Sequence, residues 1–161
     1  MRKKMSTDWF EQLDYRISRF MNSLGITALR ISMGIIFIWF GILKPFGMSA
    51  AAPLVLKTVN WMPFLSPEMW LSIIGVWEVA IGICFLYRPF LRIAIALLAL
   101  QMGGTMLPLF ILPHVTFQAG HIPYAPTIEG QYIIKNLLII SAALVIGGTV
   151  RKRKLENQSS R

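Results

Sequence analysis

A carboxylate, two ammonium groups and an amide stand where a sequence this apolar ordinarily holds hydrocarbon: Glu78, Lys44, Lys135 and Gln101. Each lies inside a long apolar run, where a charged side chain costs about 2.5–3.5 kcal/mol on insertion scales unless it meets protein or a wet cavity. A carboxylate in such surroundings can exchange a proton, and ammonium or amide N–H groups can hold a carbonyl oxygen or an anion. Glu78 is therefore the candidate catalytic residue, with Lys44, Lys135, Gln101, Phe37, Phe40 and Arg30 as candidate ligand-binding residues. At 3.6 residues per turn, Arg30, Met33, Phe37, Phe40, Gly41 and Lys44 share one helix face. Gly75 and Gly82 flank Glu78 at i−3 and i+4, leaving its surroundings open to another helix or to a flat ligand. Thr105 adds a hydroxyl near Gln101. Two explanations stay open: these groups converge on an aromatic-walled site for a small molecule, or Glu78 pairs with Lys44 or Lys135 only to hold helices together.

The elements that position them follow from hydropathy. The chain has 161 residues, 55% of them hydrophobic and 14% charged, with a mean hydropathy of +0.60. That is too apolar for an ordinary soluble domain. Four runs, at residues 28–46, 69–87, 91–111 and 131–150, each match the roughly 20 residues that a hydrocarbon core requires. The expected architecture is all-α: a four-helix transmembrane domain over residues 26–150, preceded by an amphipathic interfacial helix in residues 1–25 and followed by a basic tail, residues 151–161. Trp9, Phe10, Leu13, Ile17, Phe20, Met21 and Leu24 recur at helical spacing in that first segment, which predicts a helix lying on the membrane surface or, as the alternative, docked on a partner protein. Lys44 and Lys135 fall about one to two turns inside the outer ends of their spans and Glu78 near the middle of its own, so all three can meet in the outer half.

Arg88-Pro89-Phe90 is the whole connection between the second and third spans, which makes them antiparallel neighbours. Gly103, Gly104 and Pro108 predict a kink late in the third, and Pro53 predicts a short helix through Leu54, Leu56 and Val59 in the first outer loop. Arg2, Lys3, Lys4, Arg16, Arg19, Arg88, Arg92, Arg151, Lys152, Arg153, Lys154 and Arg161 fall on one side of the spans, with Lys57 alone on the other. Both termini are therefore expected in the cytoplasm. Ser49-Ala50-Ala51-Ala52 faintly resembles a signal cleavage site, but the polar segment before the first run points to an uncleaved anchor.

The net charge of +9 sits in clusters bordering apolar runs, which is how topology is encoded, and nucleic acid is not an expected partner. The single cysteine, Cys84, permits no intrachain disulfide. His114 and His121 share the second outer loop without a cysteine or nearby aspartate to complete a metal site, so no metal is expected. No zinc-protease, phosphate-loop, dinucleotide or nucleophile-elbow motif occurs.

Leu29-Arg30-Ile31-Ser32, Phe37-Ile38-Trp39-Phe40-Gly41-Ile42-Leu43-Lys44, Gly75-Val76-Trp77-Glu78-Val79-Ala80-Ile81-Gly82 and Glu129-Gly130-Gln131-Tyr132-Ile133-Ile134-Lys135-Asn136 occur in that order. Together they resemble the DoxX-like membrane proteins, most nearly the branch that contains the reactive-chlorine-resistance membrane protein. The resemblance covers residues 29–150. It implies a bacterial inner-membrane four-helix bundle in a group tied to quinone-coupled sulfur oxidation and oxidative-stress resistance, with Arg30, Gly41, Lys44, Glu78, Gly82 and Lys135 at the matching positions. The expected function is quinone interaction or redox-stress resistance, Lys44 and Lys135 binding a quinone carbonyl and Glu78 handling its proton. The alternative is a noncatalytic accessory subunit of a larger respiratory or photosynthetic complex. Expected partners are the lipid bilayer and either such a complex or further copies of the chain.

Overall fold

A computed structural model describes the backbone of residues 2–159 and the side chains of residues 9–150. Helices α1 (Arg2–Leu43), α2 (Ala52–Val59), α3 (Pro67–Leu86), α4 (Leu91–Met106), α5 (Pro108–Ile111), α6 (Pro113–Thr116), α7 (Ile128–Ile134) and α8 (Asn136–Ser159) account for most of it. The only β pairing among the described residues is an isolated bridge between Phe117 and Pro126. Four helical stretches are long and apolar enough to cross a membrane: Trp9–Leu43, Pro67–Leu86, Arg88–Ile111 and Ile128–Val150. The protein is thus an all-α, multi-pass membrane protein, as hydropathy predicts.

Local chemistry sets the helix ends. α1 stops before Pro45, because the residue preceding a proline is pushed out of the α region. Gly47, at φ +70°, then closes the end, with Gly47 N–H donating to the Lys44 carbonyl and Met48 N–H to that of Leu43, the double bond pattern of a glycine-terminated helix. α3 opens on Ser66, whose hydroxyl accepts from Met69 N–H at 3.3 Å, with Pro67 at the first helical position. The third span breaks at Leu107, where Pro108 offers no N–H, as Gly103, Gly104 and Pro108 predict. α2 likewise forms where Pro53 predicts it. The fourth span also breaks, at Lys135, whose carbonyl accepts from Leu138 N–H at 3.0 Å; no proline or glycine marks that position.

One boundary differs from expectation. The amphipathic segment is not a separate element: α1 runs without interruption from Arg2 to Leu43. No proline interrupts residues 22–28, and the lone Gly25 costs only about 1 kcal/mol, too little to end a helix.

α3 packs against α1 and α4, α4 against α8, and α8 returns to α1, which closes an up-down-up-down bundle. Its turn end carries the Arg88–Phe90 3₁₀ turn, and its loop end carries α2, α5 and α6. The core fills the turn-end half with Met33 and Phe37 from α1, Ile81 and Phe85 from α3, Leu91, Ala94, Leu98 and Met102 from α4, and Ala143 and Ile146 from α8. Trp77 ties α3 to α4 by donating from Nε1 to the Leu97 carbonyl at 3.3 Å.

The α1–α3 contact is glycine-built. A Cβ on Gly41 would lie 2.7 Å from the Gly75 carbonyl oxygen, and one on Gly82 2.6 Å from that of Gly34. No side chain fits between those backbones, so the four glycines set how closely the helices approach.

Candidate functional site

The glycine seam fixes the register that brings the polar side chains together. Gly41 lies level with Gly75 and Gly34 with Gly82, so on antiparallel helices Lys44 starts level with about Ser72, and Glu78 sits about 9 Å deeper at 1.5 Å per residue. Cα–Cβ bonds tilt toward a helix N-terminus. Lys44 therefore leans from the loop end down into the bundle, while Glu78, on the oppositely directed α3, leans up toward it. Gly75 clears the path, since a Cβ there would lie 2.8 Å from Lys44 Cβ.

The result is a buried ion pair between Lys44 Nζ and Glu78 Oε2, with side chains only 6% and 13% exposed. Gln101, on α4, donates from Nε2 to Glu78 Oε1 at 2.8 Å. Both carboxylate oxygens are thus engaged by donors from two other helices. Lys44 Nζ also reaches the Phe40 carbonyl at 3.5 Å, and Thr105 donates to the Gln101 backbone carbonyl at 3.0 Å. Gln101 Oε1 is left buried without a hydrogen-bond partner. An orphaned buried acceptor costs about 1–3 kcal/mol, so this oxygen is a place where a donor would be held.

Chemically the cluster is a carboxylate bracketed by an ammonium group and an amide donor. A primary amide can also reverse its role. Turned over, Gln101 would accept from a protonated Glu78, and its N–H groups would point where Oε1 now lies.

The other candidates are placed differently. Lys135 is exposed at the break between α7 and α8, its Nζ 5.5 Å from the Tyr132 ring centroid, and it does not join Glu78. Phe37 is buried in the turn-end core against Phe85, with ring centroids 6.5 Å apart. Phe40 is 55% exposed and offers the cluster only its carbonyl. Arg30 lies about 21 Å from Lys44 along α1, where Nη1 donates to the Phe85 and Leu86 carbonyls at 2.8 and 2.7 Å. It caps the C-terminus of α3, where a cation is favoured. The space beside Glu78 that Gly75 and Gly82 open is filled by a helix, α1, rather than left for a flat ligand.

A surface groove of about 520 Å³ lies at the loop end, lined by Leu56, Lys57, Asn60, Glu68, His114 and Val115 among others, none of them in the cluster. His121 Nδ1 lies 2.9 Å from the Ala119 carbonyl. Among the described residues no group of three or more histidine, cysteine, aspartate or glutamate side chains is placed to hold a metal ion. Sequence reasoning missed Gly34 and Trp77 as positioning residues. The seven-residue spacing of Gly34 and Gly41, repeated in Gly75 and Gly82, is the signal that reveals the seam. No family model, characterised protein or solved structure matches the chain.

Proposed function

We propose that this chain is a bacterial inner-membrane protein of the DoxX-like kind, with both termini cytoplasmic, that binds an oxygen-bearing redox lipid of the quinone class at Lys44, Glu78 and Gln101. The unpartnered Gln101 Oε1 beside an ion-paired carboxylate carries the reading. A hydroxyl donor, such as a quinol, satisfies that oxygen. In the reversed amide orientation a quinone carbonyl accepts from Gln101 instead, and Glu78 holds the proton. The arrangement couples the protonation state of one carboxyl group to whether the site favours a donor or an acceptor. The Lys and Arg residues bordering the spans support the topology, and the ordered motifs around Arg30, Lys44, Glu78 and Lys135 support the family resemblance.

Replacing Glu78 by Gln keeps the shape and removes the carboxylate. Quinone binding to the purified protein, followed by fluorescence quenching or co-purification, is expected to weaken by at least tenfold, equivalent to about 1.4 kcal/mol. Unchanged binding removes the cluster from the mechanism.

A second reading, an accessory subunit of a larger membrane complex, is favoured by the loop end, where Phe64 is 96%, Tyr124 89% and Phe110 77% exposed. Extraction in mild detergent then yields a stoichiometric complex rather than an isolated chain.

A further inference from the structure

α1 is longer than a membrane is thick. From Trp9 to Leu43 it has 35 residues, about 52 Å at 1.5 Å per residue, against a hydrocarbon core of about 30 Å. The excess, residues 9–24, makes no buried contact: every one of these positions is exposed. Among them Trp9, Phe10, Leu13, Ile17, Phe20, Met21 and Leu24 are each 40% exposed or more. At 3.6 residues per turn they form one stripe covering roughly a third of the circumference, while Glu11, Asp14, Arg16 and Arg19, together with Tyr15 and its polar hydroxyl, lie on the remainder. The charges bar the segment from the hydrocarbon core, and the stripe bars it from standing free in water.

The continuity of α1 determines which way the stripe faces. Counted along the same helix, it is in phase with Ile31, Ile35, Trp39 and Ile42, which are 39%, 51%, 62% and 42% exposed on the side of the span turned away from the bundle. Met33, Gly34, Phe37, Gly41 and Lys44, which face α3 and the core, lie on the opposite side. A single lipid-facing stripe therefore runs from the span past the edge of the membrane. Bending α1 outward lays that stripe on the bilayer, whereas bending it inward would turn the charged face onto the headgroups and the apolar face to water.

The helix is also weakest where such a bend is required. Ser23 Oγ donates back to the Phe20 carbonyl at 2.9 Å, a contact that tends to bend helices, and Gly25 has no neighbouring atom within 4 Å of where a side chain would begin. A second copy of the chain fits the stripe less well. If Phe10, Leu13, Ile17, Phe20 and Leu24 formed a coiled-coil seam, its flanks would be Trp9, Asp14, Arg16, Met21 and Ser23, which supply no set of complementary charge pairs.

We propose that residues 9–24 lie in the bilayer surface at the turn end, tipped away from the bundle about Ser23 and Gly25, with the acyl–headgroup boundary covering their apolar face. The inference is independent of the quinone reading, because it uses no residue of the cluster. It adds a direction that the sequence pattern alone does not contain: the segment extends outward from α1 instead of crossing beneath the other three helices.

The test uses the full chain with Cys84→Ser, in nanodiscs of phosphatidylcholine with a minor share of phosphatidylglycerol. Spin labels are placed through Phe20→Cys and Glu11→Cys, which lie on opposite sides of the helix, and through Ile35→Cys as a lipid-facing reference that also reports folding. Collision with oxygen, which partitions into lipid, is compared with collision with a water-soluble nickel chelate. The expected oxygen-to-nickel ratio is several-fold higher at position 20 than at 11 and approaches that at 35. Equal nickel access at 11 and 20 would place the segment in water and overturn the proposal. Low access to both reagents at 20 would place it against a second copy or another protein, and overturns it equally.

Discussion

The α1–α3 seam and the fourth span each carry a lysine within a membrane-spanning stretch, and the fold treats them in opposite ways. At the seam, four glycines let two helices meet backbone to backbone, and the register they set delivers Lys44 to Glu78. In the fourth span the helix breaks at Lys135, and the exposed side chain places its Nζ over the ring of Tyr132. Proximity to the loop end makes the second solution tolerable, because a long cationic side chain there can extend to the interface. The same residue type therefore answers the cost of charge in lipid by pairing where helices are forced close, and by escape where they are not.

The largest effect that separates the two regions is expected from Gly75→Leu. A Cβ alone would lie 2.6 Å from the Gly41 carbonyl oxygen, and a full leucine must push α1 away and separate Lys44 from Glu78. The loss is expected to exceed about 5 kcal/mol, enough to prevent folding. Gly103→Leu, at a position with nothing within 4 Å, serves as the control and should leave unfolding in mixed detergent micelles nearly unchanged. Equal behaviour of the two variants would mean that the seam does not organise the bundle.

Next in size is Lys44→Met, which leaves the Glu78 carboxylate buried without its cation. Breaking such a pair from one side costs about 3–5 kcal/mol, whereas replacing both members by apolar residues is often close to neutral. The double variant Lys44→Met/Glu78→Met is accordingly expected to regain most of the stability. It should not regain quinone binding, which separates the cluster's structural contribution from its proposed chemistry.

How much of this is legible in the sequence depends on which physical signal each feature uses. Hydropathy suffices for four spans, and proline and glycine chemistry for the α2 start and the Leu107 break, because these depend on a few adjacent residues. Periodicity narrows the Lys44–Glu78–Gln101 meeting without deciding it, since helix faces are periodic while relative depth depends on register. The Gly34/Gly41 and Gly75/Gly82 spacing contains that register, but only once the two helices are known to pair. Lys135, Phe37 and Phe40 show the limit. Phe37 and Phe40 share a helix face with Lys44, and Lys135 lies at a matching depth, yet a break without proline or glycine turns Lys135 outward, and Phe37 is drawn into the core by Phe85. The continuity of α1 was hidden for a related reason: a change from amphipathic to wholly apolar composition marks a change of solvent, which a helix can cross without ending.

The smallest expected effect belongs to Lys135→Met, and it sharpens the comparison most directly. An exposed cation over a tyrosine ring contributes about 0.5–1 kcal/mol, and removing a charge from a lipid-facing surface returns a similar amount, so the two changes largely offset each other. Stability in mixed micelles should therefore shift by less than about 1 kcal/mol, against the several lost on Lys44→Met. Quinone binding should be unchanged, since Lys135 does not reach Glu78. If Lys135→Met proved as damaging as Lys44→Met, the lysine would have to be meeting an acidic or carbonyl partner outside this chain, and the fourth span would be a subunit contact instead of a lipid face. That outcome would favour the accessory-subunit reading, because a paired cation on the bundle's outer surface requires something docked against it.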